Sequence, residues 1–172
     1  MKLINTFATE LPWACEPVAP QPLRAPRLLH LNQGLLRELG LDGIGEADWL
    51  ACCGLGQPLP GMQPVAQVYA GHQFGGYSPR LGDGRALLLG EQLAPDGQRW
   101  DLHLKGAGKT PFSRFGDGRA VLRSSIREYL ASEALHALGI PTTRALVLVG
   151  SDEPVYREQV ESGATVLRTA PS

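Results

Sequence analysis

The stretch from Asp101 to Arg119 constrains the fold most, because strand, loop and helix signals follow one another in it. Trp100, Leu102 and Leu104 alternate with polar residues, which predicts a β-strand with one buried face. Lys105 ends this strand, and four glycines follow before residue 119. A cation, backbone amides without side chains and the approach to a helix together favour a binding site for a polyphosphate.

Two patterned segments flank this stretch. Residues 86–93 are joined to the strand at 99–105 by an Ala-Pro-Asp-Gly turn, which predicts an antiparallel hairpin. Residues 120–138 carry apolar side chains at every fourth position and end at Gly139 and Pro141, which predicts a long helix. The residues at this spacing are Leu122, Ile126, Leu130, Ala134 and Leu138.

Glu128 lies on a second row of the same helix, among apolar and small residues such as Val121, Ala131 and Leu135. A buried carboxylate costs several kcal/mol unless a cation pairs with it, so we expect a basic partner. Lys105 is the candidate, because kinase-type sites hold ATP phosphates with a strand lysine that a helix glutamate keeps in place. The alternative is a surface lysine and an unrelated glutamate.

The residues after the helix predict more of an antiparallel sheet. Three further strands are expected, at 143–149, 155–159 and 164–168. They form a meander with turns at 150–154 and 161–163, where Gly, Ser and Pro collect. The expected fold class is α+β, with an antiparallel sheet and one long helix over 64–172. Residues 1–63 are expected to form a preceding unit that packs on it.

The preceding unit is predicted to be an arm followed by short helices. Residues 1–30 contain five prolines, which is typical of an extended arm lying on a surface. Its expected anchors are the large apolar residues Phe7, Leu11 and Trp13. Asn32 is a suitable N-cap for a helix over 33–39, and a second helix is expected over 47–52 with Gly54 as its stop.

Glycine-rich loops precede both the hairpin and the long helix. Residues 70–85 contain five glycines in sixteen positions, more than a purely structural loop usually needs. The tetrapeptide Gly-Asp-Gly-Arg occurs at 82–85 and again at 116–119. Arg85 strengthens a phosphate-binding interpretation of the first copy, because a guanidinium grips phosphate with two parallel hydrogen bonds. A simple tight turn is the alternative.

A P-loop is disfavoured despite a partial match. Gly108-Lys109-Thr110 fits the end of the GxxxxGK[ST] motif. His103 stands where the first glycine should be, and Pro111 interrupts the helix that should follow.

Composition limits the partners and the compartment. The net charge of -1 argues against nucleic acid as a partner, so any anion site must be local. Cys15, Cys52 and Cys53 form no metal-binding pattern, and an odd number of unpatterned cysteines fits a reducing compartment. No apolar run is long enough for a membrane span or a signal peptide. We therefore expect a cytoplasmic protein without a membrane partner.

Several runs of the chain closely resemble the selenoprotein O family. The longest are Tyr-Ala-Gly-His-Gln-Phe-Gly-Gly-Tyr at 69–77 and Leu-Lys-Gly-Ala-Gly-Lys-Thr-Pro-Phe-Ser-Arg at 104–114. Shorter ones lie at 81–86, 116–120 and 124–129. The resemblance implies a protein-kinase-like N-terminal lobe, of a type once described as a pseudokinase. It also implies transfer of AMP from ATP to Ser, Thr or Tyr hydroxyls of proteins, with ATP inverted relative to ordinary kinases.

The resemblance also implies roles for individual residues. The ATP contacts carried over by position are Gly82, Gly84, Arg85, Lys105, Asp117, Gly118 and Arg168. Glu128 would be the helix partner of Lys105. The family's acid/base aspartate and its Mg²⁺ ligands would lie beyond Ser172, so we expect this chain alone to bind ATP weakly without transferring AMP. Two alternatives stay open: an ordinary kinase-like phosphotransferase lobe, and a non-catalytic interaction module.

Overall fold

The computed structural model describes residues 2–172, and the fold is α+β with a mostly antiparallel sheet. The helices are α1 (Thr6–Glu10), α2 (Gln33–Glu38), α3 (Glu46–Gly54) and α4 (Leu122–Ala137), with a 3-10 turn at Pro12–Ala14. The strands are β1 (Leu3–Ile4), β2 (Cys15–Pro17), β3 (Arg27–Leu31), β4 (Val65–Gln67), β5 (Gly71–Gln73), β6 (Gly76–Ser78), β7 (Ala86–Leu93), β8 (Arg99–Lys105), β9 (Ala120–Val121), β10 (Arg144–Tyr156) and β11 (Val160–Pro171).

Nine strands form one sheet in the order β2-β4-β7-β8-β11-β10-β3, with β1 added beside β7 and β9 beside β11. The hairpin predicted from the sequence is confirmed as β7–β8, with Leu87 opposite Leu104 and Ala86 opposite Lys105. Strands β5 and β6 form a separate two-stranded hairpin in the glycine-rich segment.

The two faces of the sheet pack against different helices. Leu102 and Leu104 of β8 are fully buried in a cluster that also contains Leu35 of α2 and Trp49 of α3. On the other face, Tyr129 of α4 packs with three sheet residues, Ala145, Leu148 and Val166. Lys105 lies opposite Val166 in the register, so it faces the α4 side. The sheet therefore places the lysine and the long helix on the same face.

The long helix lies where the sequence predicts it, but its row of apolar residues at every fourth position is not the side that packs on the sheet. The buried residues of α4 are Ser125, Tyr129 and Ser132. Apart from the half-buried Leu122, the apolar row instead points outward, with exposed fractions of 38% at Ile126, 63% at Leu130 and 74% at Leu138, and Ala134 exposed as well. Glu128 is two residues from both Ile126 and Leu130, about 200° around the helix. Turning Glu128 towards the sheet therefore turns those apolar residues away from it.

The predicted three-strand meander is also wrong, because β10 and β11 are two long strands joined by a turn at 157–159. The expected turn at 150–154 is an irregularity within β10, where the register shifts between Gly150 and Pro154. A proline cannot donate to a ladder and is tolerated at such a bulge. The segment 161–163, also expected to be a turn, belongs to β11.

The N-terminal segment is docked on the sheet, but it is neither uniformly extended nor anchored as predicted. Trp13 is 79% exposed and Leu11 38%, whereas Phe7 is half-buried and Leu23 is buried. Glu91 of β7 holds α1 by accepting hydrogen bonds from the backbone amides of Thr6 and Phe7 at 2.8 and 2.7 Å. Met1, part of the predicted arm, lies outside the described residues.

The two short helices lie where they were expected. Asn32 caps α2 by accepting from the Leu35 amide at 3.1 Å, as predicted. Helix α3 is longer than expected and includes Gly54. Since β1, β2 and β3 all join the main sheet, residues 1–63 share it with the later strands, and a domain boundary after residue 63 stays a prediction.

Candidate functional site

An open cleft of about 990 Å³ lies beside the exposed end of β8, between the loop before β7 and the loop before β9. Its lining includes all seven residues that the family resemblance predicts as ATP contacts: Gly82, Gly84, Arg85, Lys105, Asp117, Gly118 and Arg168. These residues span 87 positions of sequence, and the antiparallel sheet brings them to one edge.

Glu128 of α4 holds two cations at the base of this cleft. Lys105 Nζ donates a hydrogen bond to Glu128 Oε2. Arg168 Nη1 lies 2.9 Å from the other carboxylate oxygen, Oε1. Arg168 of β11 is opposite His103 in the register, so it shares a face with Lys105. One carboxylate thus positions two basic side chains that are only 23% and 30% exposed, leaving a net positive charge there.

The first glycine loop, at 82–85 before β7, contacts residues 110–113 of the segment that leads to the second glycine loop at 116–119. Gly82 has a φ of +62°, and a Cβ there would lie 2.5 Å from the Phe112 ring. Ser113 Oγ donates to the Gly84 carbonyl at 2.6 Å, and Thr110 Oγ1 donates to the Asp83 carbonyl. The backbone of the first loop therefore borders the cleft, and its two glycines place no side chain between that backbone and a ligand.

Asp83 is structural in this arrangement. Its buried carboxylate accepts hydrogen bonds from the Gln67 amide and the Tyr69 hydroxyl, both at 3.0 Å. Burial, together with the Asp83 carboxylate, raises the pKa of Tyr69 to about 12. Asp83 therefore connects the loop to the end of β4, and each of its two carboxylate oxygens already accepts a hydrogen bond from the protein.

The second glycine loop is braced in a similar way. Gly118 has a φ of +71°, and its carbonyl accepts from the Gly108 amide at 3.1 Å. The neighbouring Asp117 carboxylate accepts from the Arg119 amide at 2.9 Å and from both terminal nitrogens of Arg157 at 2.7 and 3.0 Å. The Arg157 guanidinium lowers the pKa of Asp117 below its usual value. The side chain of Asp117 is thus engaged by the protein itself.

A family model described as "Protein adenylyltransferase SelO" matches residues 5–172. The chain belongs to the SelO family. It is 93% identical over its full length to a protein nucleotidyltransferase YdiU of Aeromonas salmonicida, and 58% and 55% identical to proteins of that name from Bordetella petrii and Myxococcus xanthus. It spans about 36% of the length of the Aeromonas protein.

The cleft of this SelO-family chain is strongly cationic, although the chain as a whole has a net charge of -1. Six basic side chains line it against two carboxylates. Arg85 is exposed and forms no ion pair among residues 2–172. Burial lowers the pKa of His103, so this lining residue adds no charge at neutral pH. The local excess of positive charge is what an anionic ligand requires.

Sequence reasoning missed three basic residues of the cleft, Arg114, Arg119 and Arg157. Arg119 ends the second Gly-Asp-Gly-Arg copy, so the repeat itself was a usable signal. Arg157 was placed inside a predicted strand, and no local pattern connects it with residue 117, which lies 40 positions earlier.

Residues 2–172 contain neither a cluster of metal-binding side chains nor a helix that could span a membrane. No group of three His, Cys, Asp or Glu side chains within residues 2–172 is arranged to hold a metal ion. Within the same residues, no helix has the length and apolar character needed to cross a membrane.

Proposed function

We propose that this chain is the ATP-binding N-terminal part of a protein adenylyltransferase. The whole protein would transfer AMP from ATP to Ser, Thr or Tyr hydroxyls of other proteins. Membership of the SelO family supports nucleotidyl transfer. The observation that carries the ATP proposal is the Glu128 carboxylate, which holds Lys105 and Arg168 side by side in a cleft bordered by glycine loops.

The chemistry explains why cations are needed at the base of the cleft. In adenylyl transfer the acceptor oxygen forms a bond to the α-phosphorus, the bond to the bridging oxygen breaks, and pyrophosphate leaves with the electron pair. Negative charge therefore develops on the outer phosphates. Lys105 and Arg168 would bind these phosphates, and the exposed Arg85 would contribute a further charge-assisted contact from the loop.

Three finer features belong to the same proposal. We propose that residues 64–172 form a kinase-like lobe, because a strand lysine paired with a helix glutamate is the arrangement that holds ATP in kinases. No group of His, Cys, Asp or Glu side chains in residues 2–172 fits a Mg²⁺ site, and we propose that the metal ligands and the acid/base aspartate belong to the part of the full-length relatives that this chain does not span. Three free, buried cysteines support a cytoplasmic location.

The ATP proposal is tested by measuring the dissociation constant of ATP by calorimetry for the chain and for Lys105→Ala. A hydrogen bond to a charged group contributes about 1.5–3 kcal/mol, so we expect binding to weaken roughly 10- to 150-fold. Lys109→Ala is the matched control, because Lys109 is exposed and does not line the cleft. It should change the constant less than about twofold. Equal affinities for wild type and Lys105→Ala would contradict the proposal and favour an interaction module.

An ordinary phosphotransferase would use the same lysine and glutamate, so the type of transfer needs its own experiment. The full-length protein is incubated with a protein acceptor and ATP that carries radiolabel either at the α-phosphorus or at the γ-phosphorus. Adenylyl transfer leaves the α-label on the acceptor, and phosphoryl transfer leaves the γ-label. The 172-residue chain alone is expected to label the acceptor with neither.

A further inference from the structure

Arg157 occupies the turn between β10 and β11 and reaches across to the second glycine loop. Its two terminal nitrogens donate to the two carboxylate oxygens of Asp117 at 2.7 and 3.0 Å. One of them, Nη2, also donates to the Arg119 carbonyl at 3.1 Å. These contacts lie on either side of Gly118 in the sequence, so a single guanidinium grips the turn on both sides of that residue.

The far side of the same turn is closed by the backbone. The Gly118 carbonyl accepts from the Gly108 amide, and a Cβ on Gly118 would overlap the backbone of residues 108 and 109. The turn therefore lies between Arg157 on one side and Gly108 on the other. A planar guanidinium that makes two parallel hydrogen bonds restricts the orientation of its partner, which a lysine ammonium does not.

A second arginine near the same hairpin provides a comparison. Arg123 donates from Nε and Nη2 to the two carboxylate oxygens of Glu161 at 3.0 and 2.9 Å, so it too forms a pair with two parallel hydrogen bonds. Neither Arg123 nor Glu161 lines the cleft, whereas Arg157 and Asp117 both do. Comparing variants of the two pairs therefore distinguishes a general loss of hairpin stability from a specific effect on the cleft.

We propose that Arg157 is a positioning residue that holds the 116–119 turn in the shape that lines the cleft, and that it acts through Asp117. This inference rests on the proposed ATP site for its functional meaning. It assigns Asp117 a role in maintaining the turn, and it adds a residue that no sequence motif identified. Loss of Arg157 loosens the turn and thereby weakens nucleotide binding.

The first experiment measures backbone amide hydrogen exchange over residues 106–119 without nucleotide. Arg157→Gln is expected to accelerate exchange in this segment about threefold to tenfold, because both side chains of the lost pair are partly exposed. Asp117→Asn removes the same pairing from the other side and is expected to have a similar effect, and the double variant should add little more. Arg123→Gln should leave exchange in this segment unchanged.

The second experiment measures the dissociation constant of ATP for the same variants. We expect Arg157→Gln to weaken ATP binding about threefold to tenfold, Arg157→Lys to recover only part of the loss, and Arg123→Gln to bind as wild type does. If wild type itself does not bind ATP, the proposed function fails, and the exchange data still decide whether Arg157 holds the turn. Exchange over 106–119 that is the same in Arg157→Gln as in wild type would overturn the inference.

Discussion

A single methyl group added to Gly118 tests whether the second glycine loop is packed as tightly as the structure indicates. Gly118 has a φ of +71°, which L-residues adopt at a cost of roughly 1–2 kcal/mol. Gly97, in the turn between β7 and β8, has a φ of +84° and provides the control. Gly118→Ala and Gly97→Ala therefore share the same backbone penalty.

The two positions differ in the space around the added methyl group. At position 97 nothing lies within 4 Å of the new Cβ. At position 118 the new Cβ would lie well under 3.0 Å from the carbonyl oxygen of Gly108 and the nitrogen of Lys109. Backbone atoms cannot rotate out of the way, and forced shifts of this kind cost about 1–3 kcal/mol. We expect a total of about 2–5 kcal/mol at 118, against about 1–2 kcal/mol at 97.

Urea denaturation of the two variants gives these free energies of unfolding directly. Calorimetry with ATP gives the accompanying change in affinity, and only Gly118→Ala should weaken it, by about tenfold or more, because Gly118 lines the cleft and its carbonyl is bonded to the Gly108 amide. If the two variants lose equal stability and both bind ATP like wild type, the close approach of the two loop segments does not occur in solution and the reasoning fails.

Two further predictions concern packing and pH. Leu104→Ala should lower the free energy of unfolding by about 2–5 kcal/mol because Leu104 is 1% exposed, whereas Leu130→Ala on the exposed side of α4 should change it by about 0.5 kcal/mol or less. Equal losses in urea titrations would mean that the outer side of α4 is buried in solution. Because the folded pKa of Tyr69 is raised from 10.0 to about 12, its contribution to stability is complete below pH 10 and is lost as the pH rises through 12. Tyr69→Phe should therefore lose less stability than wild type between pH 10 and 12, and identical alkaline unfolding curves would show that the Tyr69 hydroxyl is not buried beside Asp83 in solution.

Local patterns predicted the elements whose interactions are close in sequence. The β7–β8 hairpin follows from alternation on both sides of a four-residue turn, and its strands pair with each other directly. The start of α2 follows from Asn32, whose side chain needs only the amide of Leu35, three residues away. In both cases the deciding contact lies within about twenty residues of sequence, so the pattern contains nearly all the relevant information.

Features decided by distant contacts were predicted poorly. Alternation and turn residues suggested a break at Gly150 to Pro154, but pairing with β11 continues past it, and Ser151 Oγ bonds to the Gly163 carbonyl at 2.7 Å. Trp13 is large and apolar, yet it is exposed, because the end of the 3-10 turn and the start of β2 turn Ala14 and Cys15 inward instead. Neither outcome can be read from the residues of the segment itself.

The sequence by itself determined the presence of the hairpin and the long helix, the family, and seven of the residues that line the cleft. Only the tertiary structure decided which side of α4 faces the sheet, because periodicity identifies an apolar side without saying what covers it. The Glu128 carboxylate must meet Lys105 and Arg168, which come from two different strands, and that requirement sets the rotation of the helix. The role of Arg157 could likewise be recognised only in the structure, because its partner Asp117 is distant in sequence and adjacent only in the folded chain.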